Sequence, residues 1–308
     1  MTLPLNPGIE FCICTFNRVE FLKINITALL PQLVHGRTMI TIVDNNSSDG
    51  TKEYIHSLIH ENDSLRYVTE NIQGLSSSRN RGWKESKFEW IFYIDDDCVP
   101  PQGFISEALI LIDKHNEFDA LGGPIDPLFI APPPAWLPEG FGSFSMAFDK
   151  VTKIEKGYIR GGCFLIKKNV LEALGGFNPA LGMTGKSLRY AEELALQNQM
   201  HKAGYHIGYA PSLRINHYVR NDKINLGWIL RSEYARRRDK VAIDSISIIS
   251  ASLSLIRTLA GRLIWIPIHF ITMCIRTKYT WHQFILDSLL PLAFRTGALV
   301  GAFKYRSR

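Results

Sequence analysis

The chain has 308 residues, 46% hydrophobic and 21% charged, with 35 Lys and Arg against 29 Asp and Glu for a formal charge of +6. This composition excludes a disordered or fibrous chain and leaves room for one α/β domain of ordinary size with an appendage. The charge is unevenly placed: residues 241–308 hold eight basic and two acidic side chains, so the whole excess lies there and the first 240 residues sum to zero.

Residues 9–15 read as a short buried strand, followed by a turn at Asn17 and Arg18 and a helix to about residue 33. Residues 39–43 are a second apolar, β-branched strand ending in Asp44-Asn45-Asn46-Ser47-Ser48-Asp49-Gly50, a dense turn signal, with a helix through residue 59 beyond it. Residues 65–69 predict a third strand, 76–87 a helix, and 90–94 a fourth strand running into Asp95-Asp96-Asp97. Strands alternating with helices at this spacing predict a parallel, doubly wound sheet, with ligand sites at the carboxyl ends of the strands. The polar clusters fall there. Residues 131–138 hold four prolines around Trp136 and predict an extended loop; 161–166 and 207–210 read as strands, and 190–203 as a helix closed by Gly204.

The tail changes character. Ile249, Leu253, Ile256, Ala260 and Leu263 follow helical spacing, with Ser250, Ser254, Arg257 and Arg262 on another face. Residues 263–275 are an apolar run interrupted by Pro267, shorter than the roughly 20 residues that a membrane span needs. The expectation is an interfacial amphipathic helix or a re-entrant pair on an anionic membrane surface, and no nucleic-acid partner. A helical subdomain packed on the core, or a homo-oligomer contact, is the alternative. The division expected is 1–240 for the core and 241–308 for the tail. The five scattered cysteines include no C-x-x-C pair, and residues 1–10 have neither a basic nor an apolar leader segment. Both point to a reducing compartment, cytosolic or on the cytosolic face of a membrane.

Three adjacent carboxylates at a strand end repel one another unless a cation compensates, and hard oxygen ligands suit Mg²⁺ or Mn²⁺. Such a triplet equally serves a phosphatase, a nucleotidyltransferase or a two-metal nuclease, and its plain alternative is a solvated acidic loop. Asp44 can accept the imide N–H of a pyrimidine or the N–H groups of guanine, or can cap the helix that follows. Gly74 and Ser76 to Gly82 form a small-residue approach to a helix carrying Arg79 and Arg81, suited to phosphate; for Arg81 a solvent-facing role is favoured. Glu192-Glu193 opens the later helix, where a carboxylate's ionised form is stabilised, as a general base needs. His217 alone reads as an ordinary polar histidine.

Together these pieces resemble the family 2 glycosyltransferases. Cys14-Thr15-Phe16-Asn17-Arg18 resembles the opening motif, and residues 43–51 are similar to the second. Gly74 to Gly82 resembles the Ala-Arg-Asn-x-Gly segment, and Gly175-Gly176-Phe177 the loop before the base. Ala191-Glu192-Glu193 stands where the family has Gly-Glu-Asp or Gly-Glu-Glu. The resemblance implies a Rossmann-like, GT-A nucleotide-sugar domain with an amphipathic helical tail. It implies inverting transfer from a nucleotide-sugar, UDP favoured, to a glycan hydroxyl, and Mn²⁺ or Mg²⁺ as cofactor. The implied donor-binding set is Thr15, Asn17, Arg18, Asp44, Asn46, Gly74, Arg79, Asp95 and Asp96. Asp97 and His217 take the metal, and Glu193 is the base in the place usually held by aspartate. The Pro-Pro-Pro-Ala-Trp loop and basic apolar tail look most like exopolysaccharide glucosyltransferases of the succinoglycan type, which act on polyprenyl-diphosphate-linked acceptors. A metal-dependent nucleotidyltransferase and a non-catalytic membrane scaffold are the competing readings.

Overall fold

The computed structural model describes residues 5–155, 157–185, 187–276 and 279–305. Along the chain come β1 (Asn6–Thr15), α1 (Val19–Leu29), β2 (Thr38–Asp44), α2 (Thr51–Ile59), β3 (Leu65–Thr69), α3 (Leu75–Glu85) and β4 (Phe88–Asp95). Then follow β5 (Cys98–Val99), α4 (Phe104–Lys114), β6 (Ala120–Gly122), β7 (Ile125–Phe129), β8 (Thr152–Lys153), β9 (Cys163–Lys167), α5 (Lys168–Leu174) and α6 (Glu192–Lys202). The chain closes with β10 (Ile207–Tyr209), β11 (Ile215–Val219), α7 (Leu226–Asp244), α8 (Ile248–Ile275) and α9 (Trp281–Lys304). Two compact units result. One takes in the chain to Leu128, Gly142–Gly185 and Glu192–Tyr218; the other holds Phe129–Phe141, the short segment before Glu192, and everything from Val219 on. The expected 240/241 division falls inside α7.

In the first unit an eight-stranded sheet runs β3-β2-β1-β4-β9-β6-β10-β8. Its first four strands are parallel, as expected from the alternation. The other half corrects the expectation of an all-parallel sheet: β9 lies antiparallel between β4 and β6, and β8 antiparallel to β10. β1 is buried from Ile9 to Ile13, which is why it reads as an unbroken apolar run rather than an alternation. Helices cover both faces. Leu22, Ile26, Ile55 and Leu109 pack on one, and Trp83, Val170 and Leu196 on the other. Phe11 stacks on Phe92 at 5.4 Å between ring centroids, and full burial of each such side chain contributes ~1.5–3 kcal/mol. A second sheet of three strands, β5-β11-β7, carries the residues after the acidic triplet.

Helix limits shift slightly from those expected. α3 is Leu75–Glu85 rather than 76–87, and α6 begins at Glu192 because Ala191 takes a left-handed φ of 77°. The helix α4, opened by Gly103 at φ 84°, buries Phe104, Ile105, Ala108, Leu109, Leu111 and Ile112 along one face, a helical period that the sequence reading passed over.

In the second unit α9 packs on α7 through two glycines. A Cβ at Gly297 would lie 2.3 Å from the Tyr234 carbonyl oxygen, and one at Gly301 2.3 Å from that of Arg238. The proline-rich segment is a loop as expected but is not extended throughout: the Leu137 amide donates to the Pro134 carbonyl at 2.9 Å, and Trp136 stacks on His282 at 4.7 Å. α8 corrects the reading of an apolar run too short to span. It continues through Pro267 for 28 residues, since proline's φ is helical and only one carbonyl partner is lost. Among the described residues, α8 and α9 are long and apolar enough to cross a membrane by length and composition. α8 exposes Ile249, Leu263 and Ile275 at 74%, 81% and 74%.

Candidate active site

The parallel strands set the site. In the ladder Thr15 aligns with Asp44, and Cys14 with Asp95, so β1, β2 and β4 deliver their terminal polar residues to one edge. The Asp44 carboxylate is buried. Its Oδ1 accepts from the Ser47 amide at 2.9 Å and its Oδ2 from the Tyr67 hydroxyl at 2.6 Å, so it closes the turn after β2 rather than capping α2. Burial and this hydrogen bond push Tyr67 up to about 12 and keep it a donor. Asn17, at φ 52°, accepts from the Ser48 amide at 2.7 Å and joins the loops after β1 and β2. Asn46, at φ 66°, reaches across to the Asn71 carbonyl at 2.9 Å. Gly74 sits at φ 147°, a region closed to side chains, and its amide donates to Asn45 Oδ1 at 2.7 Å.

The acidic triplet divides by environment. Asp95, on the strand end, is 36% exposed, whereas Asp96 and Asp97 are buried. Asp96 accepts from Thr15 Oγ1 and Arg18 Nη1, both at 2.9 Å. Asp97 Oδ1 lies 3.0 Å from His217 Nε2, and its Oδ2 is 3.6 Å from Arg18. The short sheet explains the pairing. His217 on β11 lies opposite Cys98 on β5, one residue beyond Asp97. The Cys98 thiol shares this neighbourhood, but burial raises it well above its ordinary value and it donates to the Gly162 carbonyl at 3.7 Å. Asn25 of α1 fixes the turn, donating to the carbonyl of Cys98 at 2.9 Å.

Arg79 is the buried link to the later motif. Its guanidinium lies 3.5 Å from Asp95 and 3.0 Å from Glu192, over the rings of Tyr93 and Phe177. Burial opposes its charge, but Glu192 and Asp95 outweigh that and push it further up. Arg79 is thus a strut between carboxylates, while Arg81 pairs with Glu85 on the helix surface, as favoured from the sequence. Glu193, beside Glu192, holds a buried Oε2 that accepts no hydrogen bond. The sequence did not single out Gly161 and Gly162. A Cβ there would stand 2.5 Å from Arg79 and 2.9 Å from Asp95, so their adjacency ahead of an apolar strand was the available signal.

Asp96 yields a pH prediction. Burial, opposed by Arg18, pushes its carboxyl from 3.8 up to about 6. A group raised in the folded state favours folding while protonated, and that contribution is lost as pH rises from about 4 through 6. The upper bound is about 3 kcal/mol. In chelator, urea unfolding at pH 4.5 and 6.5 should therefore show Asp96→Asn losing less stability over this window than the parent. Parallel pH dependence of the two proteins would refute the assignment.

A mixed α/β sheet that gathers Asp44, Asp95 to Asp97 and a late histidine at its parallel-strand ends defines a glycosyltransferase of the GT-A fold class. Residues 10–175 match the family model described as Glycosyl transferase family 2, and the chain belongs to that family. It is 21% identical over 246 residues to the glucosyl-dolichyl phosphate glucuronosyltransferase of Haloferax volcanii, an alignment covering 77% of each chain. It is 30% identical over 113 residues to the GalNAc(5)-diNAcBac-PP-undecaprenol beta-1,3-glucosyltransferase of Campylobacter jejuni, covering 36% of this chain and 35% of that one. Among solved structures it resembles a mannosyltransferase from Pyrobaculum calidifontis in complex with GDP-Man and Mn²⁺, with TM-score 0.60 and 13% identity over 99% of this chain and 88% of that one. GalNAc-T7 with UDP, GalNAc and Mn²⁺ gives TM-score 0.58 and 16% identity over 79% of this chain, which spans 48% of that longer one. At such identities these two structures establish the shared fold.

Proposed function

We propose that the protein transfers a sugar, with inversion, from a nucleoside-diphosphate sugar (UDP favoured) to a hydroxyl of a lipid-linked glycan, using a divalent cation, at the cytosolic face of a membrane. The observation that carries this reading is the Asp97–His217 pair beside Asp95 and Asp96, with Glu193's unpaired carboxylate oxygen joined to the same cluster through Glu192 and Arg79.

The donor set fits a cation. One carboxylate comes from the turn between β4 and β5 and one imidazole from β11, a pairing better suited to Mn²⁺ than to the all-oxygen preference of Mg²⁺. When bound, the ion supplies positive charge to the leaving diphosphate. In this reading Asp44 and Thr15 would hold the nucleotide base, and Asp95 and Asp96 its ribose or the ion. Glu193 takes the proton of the acceptor hydroxyl as that oxygen attacks the anomeric carbon from the face opposite the diphosphate. The anomeric carbon–oxygen bond breaks, and its electron pair leaves with the diphosphate. Support for a lipid-linked acceptor comes from the two curated relatives, both named for lipid-linked substrates. The proline-rich loop and basic tail keep the succinoglycan-type resemblance as the finer reading. A screen of UDP- and GDP-sugars with Mn²⁺ by thermal shift tests the donor class, and a GDP-sugar preference would replace UDP.

The apolar helices α8 and α9 are read as the membrane contact. Each basic residue near an anionic surface contributes ~1 kcal/mol, screened by salt, and exposed apolar side chains add a salt-insensitive part. The full-length protein should pellet with phosphatidylglycerol vesicles and be only partly released by high salt. Replacing exposed Ile249, Leu263 and Ile275 together with Ser should remove the salt-resistant fraction. If the full-length protein ignores the vesicles, the tail is a packing or homo-oligomer element instead.

A further inference from the structure

Between α8 and α9, inside the second unit, lies a cavity of about 290 Å³. Arg262, Trp265 and His269 line it from one face of α8, and Leu286, Asp287 and Leu290 line it from α9. Ligand pockets run from roughly 300 Å³ upward, so the space suits a headgroup and not a whole lipid. Two of its polar groups lack what they need. The Arg262 guanidinium donates through Nη1 to the Asp287 carbonyl at 2.6 Å, while its buried Nε has no acceptor. Among the described residues it forms no ion pair, and the Asp287 carboxylate instead takes the Tyr279 hydroxyl at 2.5 Å. The buried Nδ1 of His269 has no partner either. Buried polar groups are nearly always hydrogen-bonded, and an uncompensated charge on an apolar helix is costly. Such a pair marks a place that something outside the chain completes.

The missing acceptor is anionic, because the group without a counter-charge is a guanidinium. Nε and Nη2 form the edge of the fork that grips a phosphate with two parallel hydrogen bonds, and that edge is the one left unused. The ligand is also amphiphilic. Leucines wall the cavity on the α9 side, and Leu263, Ile264 and Ile268 of α8 are 81%, 65% and 41% exposed. One phosphate suits the lining better than two, since its remaining titratable group, Asp287, would repel the second. We infer that this cavity is a binding site for the phosphodiester headgroup of an anionic bilayer phospholipid, gripped by Arg262 and His269 while its acyl chains lie along exposed α8. This rests on the reading of α8 and α9 as the membrane contact and goes beyond it. Diffuse attraction to an anionic surface needs no cavity, whereas a built site holds one lipid in a fixed place and ties the two helices together.

The test titrates the full-length protein in maltoside detergent with soluble dihexanoyl-phosphatidylglycerol. Thermal shift reads affinity, and native mass spectrometry counts the lipid retained. The parent should hold one lipid and melt higher as the site fills, and inorganic phosphate at the same concentration should do neither. Arg262→Gln should weaken binding at least about tenfold. Leu290→Trp, which fills the cavity and changes no charge, should cost as much. Arg262→Lys keeps the charge, loses the fork and should fall between Arg262→Gln and the parent. Arg257→Gln removes the same charge from α8 outside the cavity and should change affinity less than about twofold. Parent-like affinity in Arg262→Gln, an equal loss in Arg257→Gln, or an equal shift with inorganic phosphate would overturn the inference. If Arg262→Gln does not fold, parent-like affinity in both Arg262→Lys and Leu290→Trp does the same. Tighter binding of geranylgeranyl diphosphate at the same residues also overturns it, assigning the cavity to a diphosphate lipid. Failure of the full-length protein to pellet with phosphatidylglycerol vesicles would instead strike the membrane reading beneath it.

Discussion

Glu193→Gln should bind the nucleotide-sugar as the parent does and lose ~10²–10⁴ in transfer, the usual contribution of a positioned general base. Its neighbour behaves differently. Glu192 is buried against Arg79, so Glu192→Gln removes one side of the strut that also reaches Asp95. That variant should lose stability and some donor affinity, with a smaller loss of kcat. Glu193, by contrast, offers a buried oxygen with no hydrogen bond, which an incoming hydroxyl can satisfy. Steady-state transfer with binding measured separately separates the two. Equal turnover of Glu193→Gln and parent would sink the base assignment.

Asp97→Asn should abolish the metal dependence of UDP binding while leaving the fold intact. The substitution keeps the side chain's shape and removes one buried negative charge from a triplet, so the metal-free protein should unfold no earlier than the parent. Losing even an outer partner of a metal ligand costs 10–100-fold in affinity, so losing a ligand should cost at least about 100-fold. His217→Ala should move in the same direction, since its Nε2 lies 3.0 Å from Asp97. Calorimetry of UDP binding with and without Mn²⁺ decides it, and unchanged metal-dependent affinity in Asp97→Asn would show the ion is held elsewhere.

Much of the catalytic half was legible because its signals are local. The apolar runs of β1, β2 and β4 each end in a polar cluster, and the parallel arrangement follows from the helices between them. The antiparallel insertion of β9 was not legible, since a buried strand has the same apolar run whichever way it points. The three-stranded sheet escaped for a related reason. β5 is two residues long, and only its pairing with β11 gives it meaning. Arg79 was expected near the donor, but its role as a strut depends on Glu192, which only the folded chain brings near. Pro267 was read as interrupting the apolar run, whereas a single missing N–H does not end a long apolar helix.

The pairing of Asp97 with His217 has a consequence for the order of assembly. Thr15, Asp44 and the triplet lie within the first 97 residues, on neighbouring strands whose contacts are comparatively local. His217 arrives 120 positions later and must close a long loop before it meets its partner. As the chain emerges during synthesis, β1, β2 and β4 can therefore collapse well before the imidazole exists. Until β11 docks, Asp97 lacks the imidazole beside it. The Asp97–His217 pair is the last part of this cluster to form, and its completion marks a chain made through to β11.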